Sequence, residues 1–288
     1  MISRRGIGGR SVGVIVVAAA LALLAAGCGD GDTSATAPST SAAPATTAAT
    51  VTSTTAAPVT STTSPVAARP TVVDEVLMGG SEVDRYTYEL TFPKLQGLAD
   101  AAVQDTVNAE LRANARAAAE EFAIAVKEFP PPPADLADQR SGLTGTYEVA
   151  RLDDGLASFR VRQSRFFAGA AHPGAVLITY NYDLRTGKRL ALADLFTAGS
   201  PYLAKLTELS RQLLAAQPGF SDLQSFVQPG TEPTAENFDG WTLTDQDLVI
   251  FFDEYQVAPY AMGMPHVSIP YGSLRLLLDP AGPLATYN

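Results

Sequence analysis

Cysteine and histidine are almost absent from this sequence of 288 residues, which contains one cysteine and two histidines. A single cysteine excludes an intrachain disulfide, so the folded part must be held together by its core. A zinc site built from cysteine and histidine is also excluded, because Cys28 lies in a predicted export signal, away from His172 and His266.

The common catalytic motifs are missing as well. The chain has no Gly-x-Ser-x-Gly elbow, no His-Glu-x-x-His, no P-loop and no Gly-x-Gly-x-x-Gly after a strand. It also lacks the paired histidine motif of metal-dependent polysaccharide deacetylases. We therefore expect no metal and no cofactor, and we favour a non-catalytic protein.

Basic residues are outnumbered by acidic ones, 20 against 30, which gives a formal net charge of −10. Removal of residues 1–27 would take away three arginines and no acid, lowering this charge to −13. Such a surface disfavours nucleic acid, which binds through Lys and Arg, and anionic lipid surfaces. It suits a cationic protein partner drawn in by electrostatic steering.

The N-terminus has the pattern of an export signal. Arginines precede an uncharged apolar run at residues 12–26, which is shorter than the ~20 residues that a membrane-spanning helix needs. Small residues and Cys28 follow, so we predict cleavage after residue 27 and lipidation (palmitate) of Cys28 at the outer face of the cell membrane. An uncleaved membrane helix with an incidental cysteine is the alternative.

A segment of low complexity follows, at residues 28–70. It consists mainly of Thr, Ser, Ala, Pro and Val, without aromatic residues, and cannot bury enough apolar surface to offset its chain entropy. We predict a disordered stalk. It is either an O-glycosylated stalk or a plain spacer.

The remaining residues predict an α+β fold with a mainly antiparallel sheet and one long and one medium helix packed on it. Strict alternation over 84–92 predicts a strand, and apolar residues every three or four positions over 98–129 predict the long helix. Further strands, hairpins and a medium helix are predicted beyond residue 144. We divide this part into a smaller strand–helix subdomain at 71–140 and a C-terminal domain at 141–288, and expect a monomer.

A hydrolase site remains formally possible. His172 would be the base, Asp183 or Asp194 its orienting acid and Ser164 the nucleophile. The spacing of these residues does not support the group, and His172 lies in a predicted turn, where a histidine more often hydrogen-bonds the loop. Acidic pairs elsewhere are explained by turns and solvation, since no calcium-loop spacing is present.

A long loop at residues 255–266 is rich in aromatic and methionine side chains. These side chains either pack the loop or present a surface to a partner, because irregular loops on a scaffold often carry recognition. The candidate binding residues are Tyr255, Tyr260, Met262, Met264 and His266.

Two segments carry a resemblance to a known family. Phe167-Ala-Gly-Ala-Ala-His-Pro-Gly174 is followed by Tyr180-Asn-Tyr-Asp-Leu-Arg-Thr-Gly187, and Tyr255-Gln-Val-Ala-Pro-Tyr-Ala-Met-Gly263 comes later. They resemble the C-terminal domain of RsiV-type anti-sigma factors, which also occurs in PdaC-like deacetylases and secreted bacterial antigens. Residues 80–130 resemble the smaller domain that usually precedes it.

The resemblance implies an extracytoplasmic domain without catalytic residues, which in RsiV-type proteins binds lysozyme and in PdaC-like proteins is an accessory. Sigma-factor binding is not expected, since only about eleven residues precede the apolar run. We favour a lipid-anchored binding or sensing module for a lysozyme-like protein or cell-wall glycan. A cell-envelope esterase using His172 is the alternative, and a structural wall protein the third.

Overall fold

The computed structural model describes residues 69–287, which contain nine strands and four α-helices. The bounds are β1 Thr71–Ser81, β2 Tyr86–Gln96, α1 Ala101–Glu128, β3 Ser141–Leu152, β4 Leu156–Phe166, β5 Gly174–Asp183, β6 Lys188–Arg189, α2 Tyr202–Ala215, α3 Gln224–Gly230, β7 Trp241–Leu243, β8 Asp247–Phe251, β9 His266–Pro270 and α4 Tyr271–Leu274. The predicted signal peptide, Cys28 and most of the stalk lie outside the described residues. None of the helices within 69–287 has the length and hydropathy needed to cross a membrane.

The long predicted helix is α1. Its first turn is capped by Asp100, whose carboxylate accepts from the backbone N–H groups of Ala102 at 2.8 Å and Val103 at 3.2 Å. The helix ends at Glu128, and its C-cap Phe129 comes before the first of four consecutive prolines. Between these limits its buried residues recur at helical spacing, which places one face of the helix against the sheet.

Six strands form the larger sheet in the order β1-β2-β3-β4-β5-β6. Neighbouring strands are antiparallel except β2 and β3, which are parallel because α1 carries the chain across between them. The sheet therefore runs across the predicted subdomain boundary between residues 140 and 141. The described residues 69–287 lie within one compact unit.

The smaller sheet contains β7, β8 and β9, all antiparallel. It shares a hydrophobic cluster with α2, in which Leu206, Leu214 and Ile269 are fully buried. A second cluster joins α1 to the larger sheet through residues such as Phe122 and Phe159, both fully buried. Both clusters lie wholly within residues 69–287, so this region has its own core and can fold by itself.

A polar seam joins the two sheets. The Ser158 hydroxyl donates to Asn181 Oδ1 at 2.6 Å, and Asn181 Nδ2 donates to the Trp241 carbonyl at 2.9 Å. The backbone N–H of Leu243 donates to Ser158 Oγ at 2.9 Å, and that of Trp241 to Thr179 Oγ1 at 3.3 Å. Side chains of β4 and β5 thus replace the strand that β7 lacks on its outer edge.

The predicted fold class is confirmed: the protein is α+β, with mainly antiparallel strands, one long helix and one medium helix. Two elements were not predicted. The first is β1, a sheet-edge strand whose exposed Val73, Val76 and Met78 break the apolar alternation. The second is α3, a short helix that contains Pro229.

The polar seam leads to the first prediction. Ser158→Ala should destabilise residues 61–288 by about 2 kcal/mol, because the buried N–H of Leu243 loses its acceptor. Asn181→Ala should cost a similar amount. In a double-mutant cycle the two costs should be non-additive by about 1 kcal/mol, since the side chains bond each other.

Urea unfolding of the two single variants and the double variant gives these free energies. Ser268→Ala is the matched control, because Ser268 is exposed on β9 and should change stability little. Full additivity of the two seam substitutions would contradict the proposed network.

Candidate functional site

A groove of about 370 Å³ opens beside the polar seam. It lies between the face of the larger sheet that does not carry α1 and the loop that connects β8 to β9. The residues that line it are Thr146, Tyr147, Glu148, Arg160, Arg162, Leu177, Phe251, Glu254, Gly263 and Met264. This volume is in the range of small-ligand sites.

Charged side chains dominate the floor of the groove. Arg160 hydrogen-bonds Glu148 across the β3–β4 pair, and its guanidinium lies 4.8 Å from the ring centre of Phe251. Arg162 stands two positions further along β4, on the same face, and is exposed. Alternation along the strand therefore places two guanidinium groups side by side in one groove.

The wall of the groove is the aromatic loop, which we define as residues 252–265. Its base is closed by a hydrogen bond from Phe252 N to the Pro265 carbonyl at 2.8 Å. Gln256 fixes its centre by donating to the Gly230 carbonyl at 2.9 Å and the Asn237 carbonyl at 3.0 Å. These bonds hold the loop in one shape, so its outward side chains are preorganised for contact.

A row of three rings lies on the outside of this loop, formed by His172, Tyr260 and Tyr255. The His172 and Tyr260 ring centres are 4.5 Å apart, and those of Tyr260 and Tyr255 are 5.9 Å apart. Tyr260 also donates its hydroxyl proton to the Pro173 carbonyl at 3.2 Å, which ties the loop to the turn before β5. The structure thus brings the predicted turn histidine and two of the predicted binding residues together.

The backbone of Tyr255 is in the left-handed region, with φ at +66°. Bulky residues rarely adopt this conformation, which costs about 1–2 kcal/mol for a side chain with a Cβ. The side chain is also 53% exposed, so core packing does not account for the ring. Strained, exposed residues of this kind concentrate at functional sites.

The other three predicted binding residues are more scattered. Met264 lines the groove, and Met262 covers Gly219 with its methyl group. His266 is exposed at the start of β9, with its ring 5.6 Å from that of Phe251. All three border the groove or the aromatic loop, although only Met264 lies in the groove itself.

The candidate hydrolase residues do not form a triad. His172 lies just before β5 and Asp183 is its last residue, so the length of the strand, roughly 30 Å, separates them. Asp194 lies at the far end too, where it pairs with Lys188 at 2.8 Å. Ser164 of β4 pairs with Ala175 of β5, which places it near His172. Neither Asp183 nor Asp194 lies at this end of the strands.

Local partners keep the two candidate acids ionised. Burial acts to raise the pKa of Asp183, but hydrogen bonds from Arg185 outweigh it, and the pKa lies below its ordinary value. The pKa of Asp194 is lowered in the same way, with burial opposed by Lys188 and by the N–H of Ala191. Both carboxylates therefore serve local turns.

Tyr147, at the edge of the groove, is also held in one protonation state. Burial, and then its hydrogen bond of 2.6 Å to Asp74, raise the pKa of its hydroxyl above the ordinary value. It stays a neutral donor at physiological pH. Among residues 69–287, no group of three or more His, Cys, Asp or Glu is placed to hold a metal ion.

The sequence predictions missed the charged half of the site, namely Glu148, Arg160, Arg162 and Glu254. The sequence contained only a weak indication that these residues form a site. Arg160 and Arg162 alternate on the polar side of a strand in an acidic chain, and that pattern alone is typical of any solvent-facing strand. Only the aromatic loop folding over this face makes the pair part of a groove.

The segment that contains the aromatic loop matches a known protein family. Residues 193–272 match the family described as "Protein of unknown function (DUF3298)". A solved structure of a DUF3298 family member from Bacteroides fragilis shares the fold, with a TM-score of 0.55 and 18% identity over 76% of this chain and 96% of that one. The predicted resemblance to the domain of RsiV-type and PdaC-like proteins is confirmed.

Two named proteins are similar to part of the chain. The peptidoglycan-N-acetylmuramic acid deacetylase PdaC of Bacillus subtilis is 29% identical over 112 residues, which are 39% of this chain and 24% of that protein. An esterase of Mycobacterium tuberculosis is 24% identical over 106 residues, 37% of this chain and 45% of that protein. The chain thus matches less than half the length of each relative.

The strained backbone of Tyr255 gives the second prediction. Tyr255→Gly should be more stable than Tyr255→Ala by about 1 kcal/mol, because both remove the ring and only glycine accepts the positive φ without strain. At Ala261, whose φ is not positive, alanine should be the more stable residue, so that Ala261→Gly loses stability. Urea unfolding of the three variants measures these differences, and equal stability of the two Tyr255 variants would contradict the strain.

Proposed function

We propose that this protein is a binding module of the bacterial cell envelope whose ligand is cell-wall glycan. The row of rings beside the groove is the observation that carries this proposal. Sugar rings present C–H groups that pack against aromatic faces, while their hydroxyl groups hydrogen-bond polar side chains. A groove with charged side chains on its floor, and a ring platform on the outside of the loop that forms its wall, offers both kinds of contact.

The comparisons support an envelope role. One relative acts on peptidoglycan according to its name, and it shares about a quarter of its length with this chain. Because the shared segment is only 24% of that protein, the deacetylase activity itself is not carried over. A glycan-binding role fits an accessory domain that can occur with or without a catalytic partner.

The location that we propose is the outer face of the cell membrane. The support comes from the sequence, in which arginines and then an uncharged apolar segment precede Cys28, and from the envelope relative. Lipid on Cys28 would hold the chain at the membrane, and residues 29–68 would let the folded region reach the wall.

Glycan binding should depend on the exposed ring of Tyr255. In titrations of residues 61–288 with soluble peptidoglycan fragments, followed by calorimetry, Tyr255→Ala should weaken binding about tenfold, as expected for the loss of a central aromatic contact. Leu276→Ala removes an apolar side chain that is 92% exposed outside the groove, and should leave affinity unchanged.

Lysozyme in place of the fragments tests the cationic-protein partner. Binding to lysozyme that falls steeply with salt and ignores Tyr255 would favour charge steering by the acidic surface instead of the groove. Failure of the wild-type protein to bind the fragments at millimolar concentration would refute the proposed ligand.

The alternative is an envelope esterase, favoured by the similarity to the mycobacterial esterase. His172 is exposed and its Nδ1 lies 3.1 Å from the Pro173 carbonyl, so this ring is accessible but serves a turn. The same protein is assayed for turnover of a generic aryl ester. If the wild-type protein hydrolyses the ester and His172→Ala abolishes this turnover, the esterase is favoured. If the wild-type protein shows no turnover, the binding module is favoured.

The lipid anchor gives a further prediction. In bacteria that express the full chain, radiolabelled palmitate should be incorporated into the wild-type protein and not into Cys28→Ser. The wild-type protein should enter the detergent phase on Triton X-114 partition. If Cys28→Ser also partitions into detergent and keeps residues 1–27, the uncleaved membrane helix is the correct description.

A further inference from the structure

Arg162 is a free cation in the groove. Its side chain is exposed and makes no hydrogen bond or ion pair with any other residue in the described range 69–287. Its neighbour Arg160 is held in place by Glu148 and by the face of Phe251. The groove therefore contains one guanidinium that is fixed by the protein and one that is available to a ligand.

Arg162 is one of several arginines in residues 69–287 without an ion pair, and it is the one of them that lines the groove. Several other arginines pair with carboxylates, as in Arg112–Glu75, Arg140–Glu82, Arg151–Asp153 and Arg185–Asp183. With 30 acidic against 20 basic residues, a partner would be easy to supply. A guanidinium that stays unpaired on a concave surface is suited to a ligand carboxylate, which it can bind through two parallel hydrogen bonds.

Two acidic residues restrict where such a carboxylate can lie. Glu148 and Glu254 also line the groove, and their charges repel an anion elsewhere on its surface. Glu148 is already paired with Arg160, so the position beside Arg162 is the favourable one. Tyr255 and Tyr260 of the row lie on the same loop as Glu254, so a sugar on that row can present its substituent to the groove.

We infer that the groove selects a glycan that bears a carboxylate, with the carboxylate on Arg162 and a sugar ring on the row formed by Tyr255, Tyr260 and His172. This inference rests on the proposed function and names its ligand class. N-acetylmuramic acid has this chemistry, because it is an N-acetylglucosamine that carries a lactyl ether with a carboxyl group.

A matched pair of tetrasaccharides tests the inference on residues 61–288. One is a tetramer of N-acetylglucosamine. The other alternates N-acetylglucosamine with N-acetylmuramic acid and has no peptide, so the two differ only in lactyl groups. The wild-type protein should bind the second about tenfold more tightly at low salt, and the preference should shrink as salt rises.

Arg162→Gln should remove this preference and leave the affinity for the uncharged tetramer unchanged. Arg162→Lys should keep part of it, since lysine retains the charge and loses the paired hydrogen-bond geometry. Arg116→Gln is the control, because this substitution makes the same change in net charge. Arg116 is exposed on α1, on the other side of the sheet.

The outcomes separate the inference from the proposed function. Equal affinity for the two tetrasaccharides, unaffected by Arg162→Gln, would overturn the role of Arg162 while glycan binding stands. No binding of either sugar would overturn both. Arg162-dependent binding of a free peptidoglycan stem peptide, without a preference between the sugars, would place the carboxylate on the peptide and overturn its assignment to the glycan.

Discussion

Hydrogen bonds between the backbone of β7 and the side chains of Ser158, Thr179 and Asn181 fix how the two sheets meet. β7 has a neighbouring strand on one side only, and its other edge is buried against the larger sheet. Unpaired backbone groups at that edge would cost several kcal/mol. The polar seam removes this cost in a single register, so the rest of the smaller sheet has one position relative to β4 and β5.

The same face of β4 continues from the seam into the groove. Ser158 is fully buried under β7, Arg160 is half-buried against Phe251, and Arg162 is exposed. These residues alternate along one strand, so their side chains point the same way and differ only in what covers them. The structural seam and the candidate binding site are therefore two parts of one surface, and the seam holds the aromatic loop at a fixed distance from the arginines.

The aromatic loop combines rigidity with exposure. Phe252, Val257 and Ala258 anchor it in the core, while Tyr255 and Tyr260 face outward. A loop held in this way loses little conformational entropy when a ligand binds. It lies within the segment that matches the DUF3298 family, whereas the arginines of β4 lie outside that segment.

The sequence by itself determined the helix at residues 101–128, most strands and the α+β class, because these follow from local periodicity and from Asp100, the prolines and the turn residues. It also marked Tyr255 and Tyr260 as candidate binding residues, since aromatic residues in a long loop stand out. It missed β1, whose exposed edge has no alternation, and it did not mark Arg160 and Arg162 as a site. Only the tertiary structure decided that His172 lies beside Tyr260 and far from Asp183, because ring contacts and strand ends depend on how distant segments pair, which no local pattern encodes.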